Sequence, residues 1–355
     1  MQASGFINLN KPRGLTSHDC VGRLRRILKT KKVGHAGTLD PMATGVLPIA
    51  INRATKFIQV HCTRAMFLDK AKAYEGTIRF GITTDTDDIT GNVLHEDPVP
   101  WLTRAQVEIQ LQTFVGHITQ RPPLISAFRK DGERMYKLAR AGAVCRTERC
   151  ADPQRRDPVA LGARICPKRL SRGTRHRPLA SRLMCMQQVS IHVACSEGTY
   201  IRSIARECGE RLASSSSSCV GGTLSTLHRV QSSGFTSATS LTLEDIAAHV
   251  ESGTFAPSPI ASGLPHLPTW VVDPAMEFRW RNGMAVWWDA RHRGTDWPAA
   301  TGEADTLSAH RVVVAVYNPS HEFLGVTTLE RMTDEARSPS STLMYAVTGP
   351  RLFAN

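Results

Sequence analysis

Hydrophobic and polar positions recur along this chain with periods that change from segment to segment. Phe6–Leu9 reads as a short strand, Lys11-Pro12-Arg13-Gly14 as a turn, and Thr16 or Ser17 as the cap of a helix stacking Val21, Leu24, Ile27 and Leu28 on one face. Arg23, Arg25, Arg26 and Lys29 fall on the opposite face. The run Val46, Leu47, Ile49, Ala50, Ile51 suits a buried strand. Tyr74, Gly76, Ile78 and Phe80 alternate with polar partners, as a half-buried strand should. Helical spacing returns over Trp101–Val115, with Thr103 as its cap and Val107, Leu111 and Phe114 facing inward. Val189, Ile191, Val193 and Cys195 then alternate as a strand, Gly198 turns the chain, and Ile201, Ile204, Ala205, Cys208 and Leu212 repeat at helical spacing. Arg202 therefore stands at a strand-to-helix junction.

Between these segments the pattern breaks down in informative ways. Asp85-Thr86-Asp87-Asp88-Ile89-Thr90-Gly91 has the look of a calcium loop, but Ile89 takes a ligand position and the glycine comes one place late, so it reads as a polar turn. Ser214–Ser218 followed by Gly221-Gly222 reads as a flexible connector. Residues 145–187 hold ten arginines and one lysine against three acids, with no aromatic residue and no sustained alternation. That composition is the signature of a disordered basic arm. It is either an RNA-binding insertion or the product of a local frame disturbance, and recovery of the pattern by Val189 favours the disturbance. Pro257–Pro268 reads as a linker. Beyond it, Trp280-Arg281-Asn282-Gly283 marks a glycine turn, Val312–Tyr317 and Phe323-Leu324-Gly325-Val326 mark short strands, and a polar insertion at Asp289–Ala309 lies between.

Length and charge narrow the field. A chain of 355 residues can hold one large domain and a small one. A formal net charge of +13, with a pI near 9.6, suits a polyanionic partner such as nucleic acid. No apolar run approaches the roughly 20 residues of a membrane-spanning helix. The opening residues lack the basic start and apolar core of a secretory signal, so a cytoplasmic location is expected. Nine cysteines are scattered singly without a CxxC pair, as reduced thiols would be, and they suggest neither a disulfide frame nor a zinc site.

The chemistry concentrates in Val33-Gly34-His35-Ala36-Gly37-Thr38-Leu39-Asp40-Pro41-Met42-Ala43-Thr44-Gly45-Val46-Leu47. Three glycines, a proline and two threonines surround one carboxylate, the construction of a rigid irregular loop displaying Asp40. Taken alone, such a loop is more often a structural turn whose aspartate caps backbone N–H groups. Its wording, however, closely resembles the catalytic-aspartate motif of the TruB family, the tRNA pseudouridine-55 synthases. Phe6–Ser17 looks like that family's opening segment, and Lys72–Gly81 with Thr84–Asp88 is similar to its tyrosine motif. Arg121–Ala127 with Gly132 and Tyr136–Arg140 resembles its tRNA-gripping insertion. Cys195–Arg202 resembles its arginine motif and Leu227-His228-Arg229 its late leucine motif, and all stand in the family's order. Residues 145–187 and Val60–Lys70 depart from the family pattern.

The resemblance implies an α+β pseudouridine synthase fold, with a central mixed, largely antiparallel sheet flanked by helices. Residues 1–255 would form the catalytic domain, 256–268 a linker, and 269–355 a small β-rich PUA-like domain. It implies isomerisation of uridine to pseudouridine in the T-loop of tRNA, at position 55, by a monomer that needs no cofactor and no metal. In keeping with this, the chain shows no dinucleotide fingerprint, no P-loop and no metal-ligand spacing. By the same resemblance Asp40 is the nucleophile, Arg202 its ion-pair partner, and Tyr74 the residue that stacks on the flipped base and assists proton removal. His35 would wedge into the vacated stack and Leu227 would form an apolar wall, with Tyr200 beside the substrate. Lys11, Arg129, Lys130 and Arg134 are expected phosphate contacts. Two other readings stand beside this one: an RNA-binding or tRNA-folding protein without necessary catalysis, and a guide-RNA-dependent relative.

Overall fold

The computed structural model describes residues 3–58, 71–126, 129–130, 133–134, 162–164, 188–196, 198–212, 219–265, 267–284, 286–289, 311–331, 344–347 and 352–353. Its strands, in chain order, are β1 (Gly5–Lys11), β2 (Val33–His35), β3 (Thr44–Ile51), β4 (Lys72–Phe80), β5 (Ile82–Thr84), β6 (Val93–Glu96), β7 (Arg129–Lys130), β8 (Glu133–Arg134), β9 (Gly162–Arg164), β10 (Gln188–Cys195), β11 (Gly222–Ser232), β12 (Phe235–Thr236), β13 (Thr269–Val271), β14 (Trp287–Asp289), β15 (Arg311–Tyr317), β16 (Phe323–Arg331), β17 (Met344–Val347) and β18 (Leu352–Phe353). The helices are α1 (Ser17–Ile27), α2 (Arg104–Gln112), α3 (Ile201–Arg211), α4 (Leu243–Glu251) and α5 (Pro274–Arg281).

Eight strands build the main sheet in the order β1-β3-β11-β4-β10-β9, with β2 added to β3 and β12 to β11. All its pairings are antiparallel except β3 with β11, a short parallel contact. This is the mixed, largely antiparallel sheet expected. One face is sealed by the helices: Cys20, Val21 and Leu24 of α1, Val107 and Leu111 of α2, Ile201, Ile204, Ala205 and Cys208 of α3, and Leu243 and Ile246 of α4 join Ile7, Leu9, Leu47, Ile49, Ile78 and Phe80 in one core. The helix starts follow the capping rules. Thr16 and Asp19, Thr103 and Gln106, and Thr242 and Asp245 each form a reciprocal capping box.

A second sheet runs β13-β15-β16-β17-β14, with β18 on β16. Its core is built around Trp270 and Trp280, packed edge to face at 6.2 Å, with Val314, Val316, Leu324 and Leu329. The two sheets meet through Phe6, Ala50 and Phe57 on one side and Ala315 and Val326 on the other. Ile260, Leu264 and Leu267 fill that junction, and Ser258 pairs with Phe6. The stretch expected as a linker is thus packed and partly paired, because its three large apolar side chains lie where both sheets need covering.

Other expectations are refined. Helix α2 ends at Gln112, short of Val115, as Phe114 turns in to bury itself. Within 145–187, expected to lack strands, Gly162–Arg164 forms the edge strand β9, paired with His192–Ala194. The rest of 145–187, together with Val60–Lys70, Ser214–Ser218 and most of Asp289–Ala309, lies outside the described residues. The Asp85–Gly91 stretch is a turn closed by Asp88, whose carboxylate accepts from the Thr90 N–H at 2.9 Å.

Candidate active site

Register in the main sheet lines up a row of residues across five strands. Lys11 on β1 faces Gly45 on β3, Gly45 faces Arg229 on β11, Arg229 faces Tyr74 on β4, and Tyr74 faces Val193 on β10. Side chains of paired positions share a face, so Lys11, Arg229 and Tyr74 are drawn to one side, with Gly45 leaving space between the two cations. Leu227, two places before Arg229, pairs with Gly76, two places after Tyr74. Irregularities in β11 between Leu224 and Thr226 and between Arg229 and Gln231 bracket this stretch, as bulges beside functional sites often do.

The loop carrying Asp40 lies over this row and is tied down at nearly every residue. Ser17 takes both polar groups of Leu39, accepting from its N–H at 2.9 Å and donating to its carbonyl at 3.2 Å. The Pro41 carbonyl accepts from the Gly14 N–H at 2.7 Å and from the Lys11 ammonium at 3.3 Å. Arg229 donates to the carbonyls of Val46 (2.7 Å), Gly37 (3.2 Å) and Thr38 (3.5 Å). Leu39, Met42 and Ala43 point into the core. Within this anchored frame the Asp40 side chain stays open to solvent, about one-third exposed at 33%.

Its partner is Arg202. The guanidinium meets the carboxylate at two points, Nε to Oδ2 at 2.8 Å and Nη2 to Oδ1 at 3.1 Å. The same group donates to the Thr86 and Ile125 carbonyls, each at 2.9 Å, and its side chain is only 6% exposed. Asp88 Oδ2 stands 4.0 Å away. Arg202 is held here because α3 begins at Ile201 and packs against β11, while Arg206, one turn on, pairs with Asp87 and donates to the Arg121 carbonyl at 2.7 Å. Burial raises the Asp87 carboxyl's pKa, which the Arg206 cation opposes.

The other expected site residues divide into two groups. Tyr74 is almost wholly buried, and burial pushes its phenol above the ordinary tyrosine range while Arg229 pulls it back. Leu227 is buried on the same face of the sheet, and His35 closes β2 opposite Ile49, half-buried, its Nδ1 without a partner among the described residues. Burial, helped by His18 and Arg229, holds His35 below the usual histidine value and so favours the neutral ring. Tyr200 caps the start of α3, its backbone exchanging hydrogen bonds with the Gln120 side chain at 3.0 and 3.2 Å. Arg129 and Lys130 lie on β7 and Arg134 on β8, with Arg129 paired to Arg134 in the strand register.

Lys11 corrects the expectation. Read as a phosphate contact, it is fully buried, its ammonium on the Pro12 (2.8 Å) and Pro41 carbonyls, with burial lowering its pKa. The reason is its place at the end of β1 beneath the loop, which the turn at Pro12 covers. Arg229 carries no expected role in the sequence reading, and Ser17 only that of a candidate helix cap, although both stand inside recognised segments. A buried cation leaves no periodic signal, and only the pairing of strands far apart in the chain brings Arg229 under the loop.

A family model described as the TruB family pseudouridylate synthase, N-terminal domain, matches residues 25–152. The tRNA pseudouridine synthase B of Trichormus variabilis is 39% identical over 282 residues, covering 79% of this chain and 85% of that protein. That of Gloeobacter violaceus is 40% identical over 282 residues, covering 79% and 86%. The Synechococcus elongatus protein of the same name is 38% identical over 328 residues, covering 92% and 94%. Among solved structures, a Cbf5-Nop10-Gar1 complex matches with a TM-score of 0.61 at 21% identity, covering 98% of this chain and 85% of that one. An H/ACA ribonucleoprotein bound to a substrate RNA containing 2′-deoxyuridine matches with a TM-score of 0.59 at 20% identity, covering 97% and 84%. At that identity the likeness carries the fold, and the sequence relatives carry the family.

Proposed function

The chain belongs to the TruB family of pseudouridylate synthases, and from that premise we propose that it isomerises uridine to pseudouridine in tRNA, at position 55 of the T-loop, with Asp40 as nucleophile. The observation that carries this reading is the two-point Asp40–Arg202 pair on a loop otherwise fixed by Ser17, Lys11 and Arg229.

The reaction exchanges the N1–C1′ bond for a C5–C1′ bond, with no redox change. A carboxylate can hold one fragment covalently, through C1′ or through uracil C6, while the base turns. Bidentate pairing aims the Asp40 carboxylate and sets its charge against a fixed cation. The target uridine must leave its stack to reach Asp40, at a cost of a few kcal/mol. Stacking on an aromatic side chain, worth about 1–3 kcal/mol per base, offsets that cost. Tyr74 supplies the ring, and its phenol is the group suited to assist removal of the C5 proton. His35 fills the vacated stack, Leu227 forms the apolar wall, and Tyr200 flanks the substrate. Arg129, Lys130 and Arg134 contact phosphates from their hairpin.

The test is tritium release from an unmodified tRNA transcript carrying C5-tritiated uridine, with no guide RNA present, beside a filter-binding assay. Release that maps to position 55 supports the reading. Tight binding without release would make the protein an RNA-binding one, and release only on adding a guide RNA would place it with guide-dependent enzymes.

A further inference from the structure

Arg229 is a fully buried cation, and among the described residues it forms no ion pair. Burying a charge on neutral partners is costly, and a well-packed apolar residue would normally serve the fold as well. What Arg229 does instead is bridge two structures that stability alone does not require to be joined. Its three donor nitrogens reach the Val46, Gly37 and Thr38 carbonyls, at the far end of the Asp40 loop and just before Asp40 itself. Its backbone is the cross-strand neighbour of Tyr74, so the two side chains stand on one face of the sheet, where the guanidinium charge acts on the Tyr74 phenol.

We propose that Arg229 is a positioning residue of the reaction, one that fixes the Asp40 loop and the Tyr74 side chain at a set separation so that both address the same flipped base. The planar guanidinium is suited to this because its donors point in several fixed directions at once, whereas an ammonium is a single point charge. The Gly37 and Thr38 carbonyls are the two immediately upstream of Leu39 and Asp40, so their position sets where the carboxylate emerges. The strand register does the rest, since β11 carries Arg229 between β3, which continues from the loop, and β4, which carries Tyr74. The proposal rests on the enzymatic reading above.

The experiment compares wild type with R229K, R229Q, Y74F and the R229K/Y74F double variant, all in the same tritium-release and filter-binding assays. Cooperative unfolding of each variant is checked by urea denaturation. The expected result is that R229K remains folded and binds tRNA within about threefold of wild type, while kcat falls by about tenfold or more. R229Q should fall further. The R229K loss should shrink in the Y74F background, because residues acting as a unit do not add. An unchanged kcat for R229K, a loss confined to KM, or full additivity with Y74F would overturn the proposal. Failure of both R229K and R229Q to fold would assign Arg229 to the fold alone and overturn it equally. Wild-type release in the same assay keeps the two readings apart: its absence sinks the enzymatic reading, whereas its presence beside an unaffected R229K sinks this inference only.

Discussion

Asp40 and Arg202, 162 residues apart in the chain, meet as a fork, with Nε 2.8 Å from Oδ2 and Nη2 3.1 Å from Oδ1. The guanidinium is also fixed by the carbonyls of Thr86 and Ile125, so it cannot follow a carboxylate that moves. Ile125 lies in the segment that resembles the family's tRNA-gripping insertion, and Thr86 sits in the turn between β5 and β6. One side chain therefore ties Asp40 to two neighbouring parts of the site.

D40N is expected to abolish turnover while leaving tRNA affinity within about tenfold of wild type. The amide keeps the shape but is a far poorer nucleophile. It also turns an N–H2 toward the guanidinium, which offers only donors. Tritium release above a few per cent of wild type would remove Asp40 from the central role.

R202M is expected to cost stability as well as activity, because it strips a partly buried pair and leaves the Thr86 and Ile125 carbonyls without that donor. The loss should be about 3 kcal/mol in a urea melt, at the lower end for breaking a buried pair because Asp40 keeps some solvent. R202K should lose less stability yet most of its activity, since a lysine cannot make the two-point contact. Equal activity in R202K and wild type would show that charge alone suffices.

Much of this was legible in the sequence, and the boundary has physical causes. The caps at Thr16 and Thr103, the inward faces of Val21, Leu24, Val107 and Leu111, and the junction position of Arg202 all follow from local periodicity and hydrogen-bonding needs. Strand order does not, because β3 and β11 are paired by contacts between residues far apart in the chain. Lys11 shows the consequence. Beside Pro12 and Arg13 it reads as a surface basic residue, and only the strand register puts it beneath the loop. Ile260, Leu264 and Leu267 show the same for packing: a proline-rich composition marks irregular backbone, yet says nothing of what that backbone covers.

Affinity for tRNA is expected to fall steeply with salt. A chain of net charge +13 that contacts phosphates releases counterions on binding, with a log–log slope of about −0.7 to −0.9 per phosphate neutralised. Filter binding across a salt series measures it. A flat response between low and physiological ionic strength would mean that phosphate contacts are a minor source of affinity.

Acid should destabilise the protein through His35. Its folded-state pKa lies below the ordinary value of 6.5 because the ring is buried and faces His18 and Arg229. The unfolded chain therefore binds the proton first, so this contribution to stability is present above about 6.5 and is lost as pH falls through the lower folded value. Thermal unfolding of wild type and H35Q across that range isolates it from the other histidines. The difference between the two should change with pH below neutrality and be constant above it. A constant difference throughout would mean that His35 titrates as an exposed histidine does.

Gly45 should be the least replaceable glycine of the loop, for two separable reasons. Its φ of +98° lies in the region L-residues avoid, at a cost of roughly 1–2 kcal/mol. A Cβ there would also overlap the Arg229 carbonyl oxygen and come within 2.9 Å of its backbone nitrogen, and none of these backbone atoms can move without breaking the β3–β11 pairing. Gly14 is the control, with φ +88° and nothing within 4 Å of an added Cβ. G14A should then lose only the backbone-strain part, about 1 kcal/mol. G45A should lose at least about 2 kcal/mol more, seen as a lower urea midpoint with an unchanged slope. Any G45A protein that still folds should also lose activity, since the overlap pushes Arg229 away from the Gly37 and Thr38 carbonyls. Equal losses for the two variants would show that the close approach of β3 to β11 is not what demands glycine at position 45.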